Sequence, residues 1–181
     1  MRETNAERGF TLIELMVAVA IIAVLAVIVV PIFTKEAHKT IGTSEVNPMF
    51  AQLATKEETY KEESGAYLAA AQCPTAASPT GINFTSVCIT TGSAWESLRI
   101  SPAETTMHCA YTIVVGASTD TLTPPTGFKN SQGTVSAAEP SLASSWWYTT
   151  AECDEDGQGG TNATFYRSSV DPTLQNQNDG K

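Results

Sequence analysis

The chain has 181 residues and a formal net charge of −9, which comes from 19 acidic and 10 basic side chains. So few Lys and Arg residues exclude a general grip on nucleic acid, because phosphate contacts depend on them, and no local basic patch is visible. The length allows one soluble domain of ordinary size beside a terminal segment.

The chain begins with a short polar leader, residues 1–9, followed by a long apolar run. No polar side chain occurs from Leu15 to Val30. As a helix, residues 10–33 rise about 36 Å, enough to cross a hydrocarbon core of about 30 Å. The run is longer than the apolar part of a secretory signal peptide, and no small-x-small cleavage site follows it. The sequence therefore favours a retained membrane helix.

Glu14 is the only ionisable residue between Arg8 and Lys35. An acid in hydrocarbon costs about 2.5–3.5 kcal/mol on insertion scales, so it is functional by default and needs a partner. Cleavage after Gly9 would leave a cationic amine on Phe10, one helical turn before Glu14 and on the same face. The two charges could neutralise each other within one chain or between neighbours, and such a pair specifies register.

The residues Gly9-Phe10-Thr11-Leu12-Ile13-Glu14-Leu15-Met16, followed by the apolar run and Pro31, resemble the class III signal of type IV pilins and type II secretion pseudopilins. The resemblance implies that a prepilin peptidase cuts after Gly9, that Phe10 is N-methylated, and that Glu14 pairs with an N-terminal amine during assembly. It also implies that Pro31 matches a family proline around which the helix loosens in assembled pili. The alternative is a single-pass anchor whose Glu14 lies near the membrane interface.

Residues 34–65 are predicted to continue the helix in amphipathic form and into the head. The apolar face consists of Ile41, Met49, Phe50, Leu53 and Tyr60, and charged residues, Glu57 among them, fill the other faces. Gly42 and Asn47-Pro48 predict a bend or a short break near residues 42–48. The helix is expected to end at Ser64-Gly65, where glycine can adopt the left-handed conformation.

Residues 66–181 are predicted to form a globular head with a loop at 66–100, an antiparallel sheet at 105–170 and a flexible tail at 171–181. Strand signals lie at Met107 to Gly116, Ser145 to Cys153 and Thr164 to Ser168. Residues 117–144 are predicted to form a long surface excursion. Trp146 and Trp147 alternate faces in their strand, so one is expected in the core and the other exposed or at a subunit contact.

All four cysteines follow the apolar run, and an even count in an exported domain predicts disulfides. A Cys73–Cys88 bridge would close a short ring within the loop. If the first two strands pair antiparallel, Cys109 lies beside Cys153, so Cys109–Cys153 is the preferred second bridge. Four cysteines allow three connectivities, and the sequence does not exclude the others.

The segment Asp154-Glu155-Asp156-Gly157 has the alternating oxygen ligands and the glycine of the start of a calcium loop, but it lacks the glutamate that closes an EF-hand. Calcium at Asp154 and Asp156 is the one cofactor that the sequence suggests. A solvated acidic turn explains the same residues. The sequence shows no nucleophile-base set, phosphate loop or His-x-x-x-His pair, so the chain is predicted not to be an enzyme.

The residues and the resemblance together imply an α+β, ladle-shaped pilin fold, with a long bent N-terminal helix packed on a small antiparallel sheet. The first hypothesis is a structural subunit of a type IV pilus, a homo-oligomeric helical filament that includes other pilins and serves adhesion, twitching motility or DNA uptake. Its precursor would wait in the inner membrane with the prepilin peptidase and the assembly platform, before forming an extracellular pilus with the head in the periplasm or outside. The alternatives are a pseudopilin of a type II secretion system and a non-polymerising membrane-anchored adhesin or calcium-binding module.

Overall fold

The computed structural model describes residues 10–128, 144–155, 157 and 160–178, without the side chains of residues 28 and 30–42. The chain divides into two compact units, Met1–Ala37 and His38–Lys181. One helix, α1 at Leu12–Ser64, contributes residues to both units. An antiparallel sheet follows it in the chain, so the protein is α+β, as the sequence predicts.

Within the second unit, α1 remains helical through residues 42–48, so the short break predicted there is absent. Its buried face carries Val46, Met49, Phe50 and Leu53, which confirms the last three as members of the predicted apolar face. Tyr60 is partly buried, and the side chain of Ile41 lies outside the described residues. Ser64 is the last helical residue, and Gly65 follows with φ of 85° and an N–H that donates to the Lys61 carbonyl (2.8 Å). A glycine pays no Cβ penalty in this left-handed conformation, so it ends the helix where the sequence predicts.

Within its described residues, the head contains seven strands and two short helices. They are β1 Ala70–Cys73, β2 Ile82–Asn83, α2 Phe84–Cys88, α3 Ala94–Ser97, β3 Thr106–Met107, β4 Cys109–Gly116, β5 Trp146–Cys153, β6 Ala163–Ser168 and β7 Gln175–Gln177. Five strands form one antiparallel sheet in the order β1-β4-β5-β6-β7, and β2 pairs with β3. In the β4–β5 pair Cys109 lies opposite Cys153, which confirms the predicted register.

Two edge strands correct the predicted boundaries of the sheet. Residues 70–73 lie in the predicted loop 66–100 but pair with β4, and residues 175–177 lie in the predicted flexible tail 171–181 but pair with β6. Both strands are rich in Ala or Gln, which give no β signal of their own. They form because the neighbouring strand offers its free backbone groups, a tertiary cause that composition does not reveal.

The expectation that one of the paired tryptophans is exposed is wrong, because Trp146 is 5% and Trp147 is 2% exposed. Trp146 stacks on Tyr148 with ring centroids 6.1 Å apart, and its indole N–H donates to the Asp120 carbonyl (3.1 Å). The first part of the predicted excursion, residues 117–128, thus meets the outer side of the sheet, and Phe128 is buried against Tyr166. Residues 129–143 lie outside the described residues.

The cysteines form the bridges Cys73–Cys88 and Cys109–Cys153, the two pairs that the sequence prefers. The first fastens α2 to the end of β1, and the second joins the neighbouring strands β4 and β5. Both therefore hold the head together at the sheet and at its first edge.

Removing the Cys109–Cys153 bridge by double alanine substitution is expected to destabilise the head more than removing Cys73–Cys88. The paired residues are 44 positions apart in the first case and 15 in the second, so the constraint on the unfolded chain is worth about 4 and about 3 kcal/mol, respectively. Urea denaturation of the two variants measures the difference. The reverse order would mean that native contacts, and not the unfolded chain, set these stabilities.

Candidate functional site

The start of α1 is fixed by Thr11 and Glu14. The Glu14 backbone N–H donates to Thr11 Oγ1 (3.3 Å), and the Leu15 N–H donates to the Thr11 carbonyl (3.2 Å). Thr11 is therefore the N-cap, with a glutamate three positions on, as in a capping box. A carboxylate in the first turn also interacts favourably with the helix dipole. Glu14 thus has a local structural role beside the assembly role predicted from the sequence.

The described side chains of the first unit are exposed and almost entirely apolar. They include Phe10 at 85% exposure and Leu12 at 81%, and large apolar residues continue on every side of the helix as far as Val29. Apolar surface on this scale marks a site of protein or membrane interaction. Glu14 and the exposed apolar side chains of the first part of α1 together form the candidate site.

Three sequence predictions at this site reach beyond the described residues. Gly9 and the leader lie outside them, as does the side chain of Pro31, and the predicted span 10–33 includes undescribed side chains at 28 and 30–33. Among the side chains that are described, none of the helices is both long enough and apolar enough to cross a membrane. The roles of Gly9 and Pro31 therefore stay predictions.

Comparison with known families matches residues 4–30 to the family model described as the prokaryotic N-terminal methylation motif. The chain carries a prokaryotic N-terminal methylation motif. The matched residues contain Gly9, Phe10 and Glu14, and the methylation motif is consistent with a type IV pilin or a pseudopilin. Comparison with curated proteins and with solved structures finds no match.

In the second unit, Glu45 joins α1 to the sheet, a residue that sequence reasoning did not single out. Its Oε1 accepts from the Cys109 N–H (2.8 Å) and the Tyr111 hydroxyl (2.9 Å), and its Oε2 accepts from the His108 N–H (2.7 Å). The His108 Nδ1 lies 3.1 Å from the same Oε2. Burial, with the charge of Glu45 beside it, raises the pKa of Tyr111 well above its usual range, so the phenol remains a donor.

Glu57 corrects a second expectation, since it lies in the core and not on a polar face of α1. Its Oε2 accepts from the Leu68 N–H (3.0 Å). Burial raises the pKa of this carboxyl to about 7, with a smaller increase from Glu58, against the lowering effect of the Leu68 N–H. The residues Glu45, Met49, Leu53 and Glu57 are four positions apart, so this spacing is the signal that could have placed both acids on the buried face.

The acidic turn after β5 has one described ligand candidate. Asp154 Oδ1 accepts from the Gly157 N–H (2.9 Å), the hydrogen bond of an ordinary aspartate turn. Asp156 lies outside the described residues. Within the parts of the chain that are described, no group of three or more His, Cys, Asp or Glu side chains could hold a metal ion. Calcium binding here stays a prediction, which calorimetric titration of the chain and of Asp156→Ala tests.

Proposed function

We propose that the chain is a structural subunit of a type IV pilus, which polymerises through its N-terminal helix. The observation that carries this proposal is the methylation motif at residues 4–30, which includes the first part of α1, where the described apolar side chains are exposed on all sides. A surface of that kind requires lipid before assembly and protein afterwards. The function would then be assembly and not catalysis.

The mechanism begins in the membrane. The apolar residues of α1 hold the precursor there, and a prepilin peptidase cuts after Gly9 and exposes the amine of Phe10, which is then methylated. On assembly the same side chains exchange lipid for equivalent helices. Because lipid tails and leucine are similarly apolar, this exchange costs little, and register must come from packing and polar pairs.

Glu14 supplies the polar pair in this scheme. It stands one helical turn after Phe10, and its exposed position in the first turn leaves the carboxylate accessible to a neighbour. A subunit in the wrong axial position would leave the acid and the amine unpaired in apolar surroundings, at a cost of several kcal/mol. The pair thus selects the position in which each new subunit adds to the filament.

In the filament, the head would form the outer surface. Two disulfides, a five-stranded sheet and the Glu45 contacts make it a rigid block, which suits the outer layer of a fibre exposed to an oxidising space. The partners proposed are further copies, other pilins and an inner-membrane assembly platform. Adhesion, twitching motility and DNA uptake are the uses proposed for the assembled fibre.

The mature protein is expected to begin at Phe10 with a methylated amine. Intact mass and N-terminal sequencing of the protein purified from membranes and from sheared surface material measure both. Gly9→Val, which blocks the approach of a peptidase to the scissile bond, is expected to retain Met1, and the leader variant Glu7→Ala is its matched control. A wild-type mature protein that still begins at Met1 would contradict the proposal.

The pseudopilin alternative shares the motif and the processing, so the mass does not separate the two. The protein content of surface filaments separates the two alternatives. A pilus subunit is the bulk protein of long sheared fibres, whereas a pseudopilin remains in a short structure beneath the outer membrane and its loss blocks protein secretion. Immunoblotting of sheared fibres and of secreted protein in a strain that lacks the chain distinguishes them.

A further inference from the structure

The buried acid Glu57 has an unusual hydrogen-bonding environment. The side chain is completely buried, and Oε2 accepts from the Leu68 N–H (3.0 Å). Oε1 is also buried, and none of the described residues donates a hydrogen bond to it. A buried carboxylate with one oxygen unpaired is costly in the ionised form, while a neutral carboxyl is tolerated more easily. The site therefore fits the protonated acid.

The charged neighbours on α1 do not compensate a negative charge on Glu57. Glu58 is the next residue, and its Oε1 accepts from the Tyr67 hydroxyl (2.9 Å) and the Trp147 indole N–H (3.3 Å). Lys61, one turn later, donates to the Tyr67 hydroxyl (3.1 Å), and its Nζ lies 4.2 Å from the centre of that ring. Lys61 is thus engaged with Tyr67, and Glu58 adds a like charge.

Other elements also contribute residues near the C-terminal end of α1. These are Tyr67 and Leu68 from the connection after α1, Trp147 from β5 and Arg167 from β6. Arg167 pairs with Thr149 and so lies on the helix-facing side of the sheet, where it is partly buried. Among the described residues, the hydrogen-bond donor to the Glu57 carboxyl is the Leu68 N–H. That N–H belongs to the segment that leads into β1, the edge strand of the sheet.

We propose that Glu57 is a proton-operated clasp between the end of α1 and the segment 65–69, closed when the carboxyl is neutral and opened when its proton passes to water. Ionisation of Glu57 favours hydration of its carboxylate, and the carboxylate gains water when this segment separates from the helix. Gly65, in the left-handed conformation with open space beside it, provides the hinge. The clasp does not depend on filament assembly.

The pH range over which the clasp opens is set by the pKa of Glu57 in the closed and open forms. In the closed form, burial raises the pKa of Glu57 to about 7 from its usual 4.5, and an open, hydrated carboxyl returns to the usual value. Between these values the closed form holds a proton that the open form has lost, so a rise in pH favours opening. Below this window both forms are protonated and above it both are ionised, so the dependence ends. The full change in the opening constant is about 300-fold.

Hydrogen exchange of the full chain in detergent micelles measures the opening, with mass spectrometry of peptides that cover residues 65–69. After correction for the intrinsic rate, the opening constant of the wild type is expected to rise by about 70-fold between about pH 5 and about pH 8, most of the full change. Glu57→Gln, an uncharged isostere, is expected to remove this dependence. Glu58→Gln makes the same charge change one residue away and is expected to keep it.

Infrared spectroscopy of the wild type gives a reading that needs no folded variant. A buried carboxylic acid band is expected to disappear with a midpoint near pH 7 and to be absent from Glu57→Gln. The clasp is excluded if this band is missing from the wild type below pH 6, if wild-type exchange in segment 65–69 shows no corrected pH dependence, or if Glu57→Gln retains that dependence. Because the unassembled chain is measured, these outcomes leave the filament proposal unaffected.

Discussion

Glu45→Ala is expected to destabilise the head by about 3–5 kcal/mol, among the largest effects of a single substitution in this chain. The carboxylate accepts from the backbone N–H groups of His108 and Cys109 and from the Tyr111 hydroxyl. Cys109 and Tyr111 are completely buried, so alanine leaves their donors without a partner and without water. Each donor stranded in this way costs about 1–3 kcal/mol.

Two variants separate this network from a general effect of charge. Glu104→Ala removes an exposed acid that lines the same surface cavity as Glu45 and is expected to change the free energy of unfolding by less than about 0.5 kcal/mol. Tyr111→Phe removes one of the hydrogen bonds and is expected to cost about 1 kcal/mol. Denaturation of the full chain in detergent gives all three values. A Glu45→Ala cost no greater than that of Tyr111→Phe would contradict the anchoring role.

The strands that were predicted correctly are those whose residues carry the signal themselves. β4 and β5 are rich in β-branched and aromatic residues, and burial alternates along most of β5. The two cysteines that bridge these strands also fix their register. The signal for the end of α1 is also local, because it depends only on the left-handed conformation of one residue, Gly65. The residue types within each strand, together with one disulfide, are therefore enough to predict the two central strands and their register.

The buried acids were missed for the opposite reason. A glutamate on a helix is typical of a solvated face. The four-residue spacing of Glu45 and Glu57 with apolar neighbours indicates the buried face, but the sequence does not show the hydrogen-bond donors that make burial of an acid tolerable. Glu45 is buried because three donors of the β3–β4 region converge on it, while Glu57 is buried beneath the connection to β1. These partners are 11 to 66 residues away in the chain, and no helical pattern contains them.

The candidate site was predictable because it is continuous in sequence. The eight residues from Gly9 to Met16 suffice for the resemblance, and the methylation motif covers them. The structure adds the Thr11 cap, which gives Glu14 a second, purely local explanation. An acid retained to begin a helix and an acid retained to pair with a neighbour's amine make different predictions for the same position.

Glu14→Gln is expected to abolish incorporation into filaments, with a loss of more than about 100-fold in the sheared fraction. Glutamine fits the third position of a capping box as well as glutamate does, so this variant keeps the helix start and removes only the charge. Without it the incoming amine stays unpaired in apolar surroundings, at about 3–5 kcal/mol, and each 1.4 kcal/mol is tenfold in affinity. Immunoblotting of sheared and membrane fractions measures the ratio.

Thr11→Ala is the matched control, because it removes the observed cap from the Glu14 N–H and leaves the carboxylate in place. Losing a threonine cap costs about 1 kcal/mol at the helix start, so incorporation is expected to fall by less than about tenfold. Intact mass must show that both variants are cut after Gly9, since Thr11 lies close to that bond. If Glu14→Gln assembles normally while Thr11→Ala does not, capping explains the acid and the pairing mechanism is wrong. The opposite pattern assigns Glu14 to the contact between subunits, because its charge then matters where its local hydrogen bond does not.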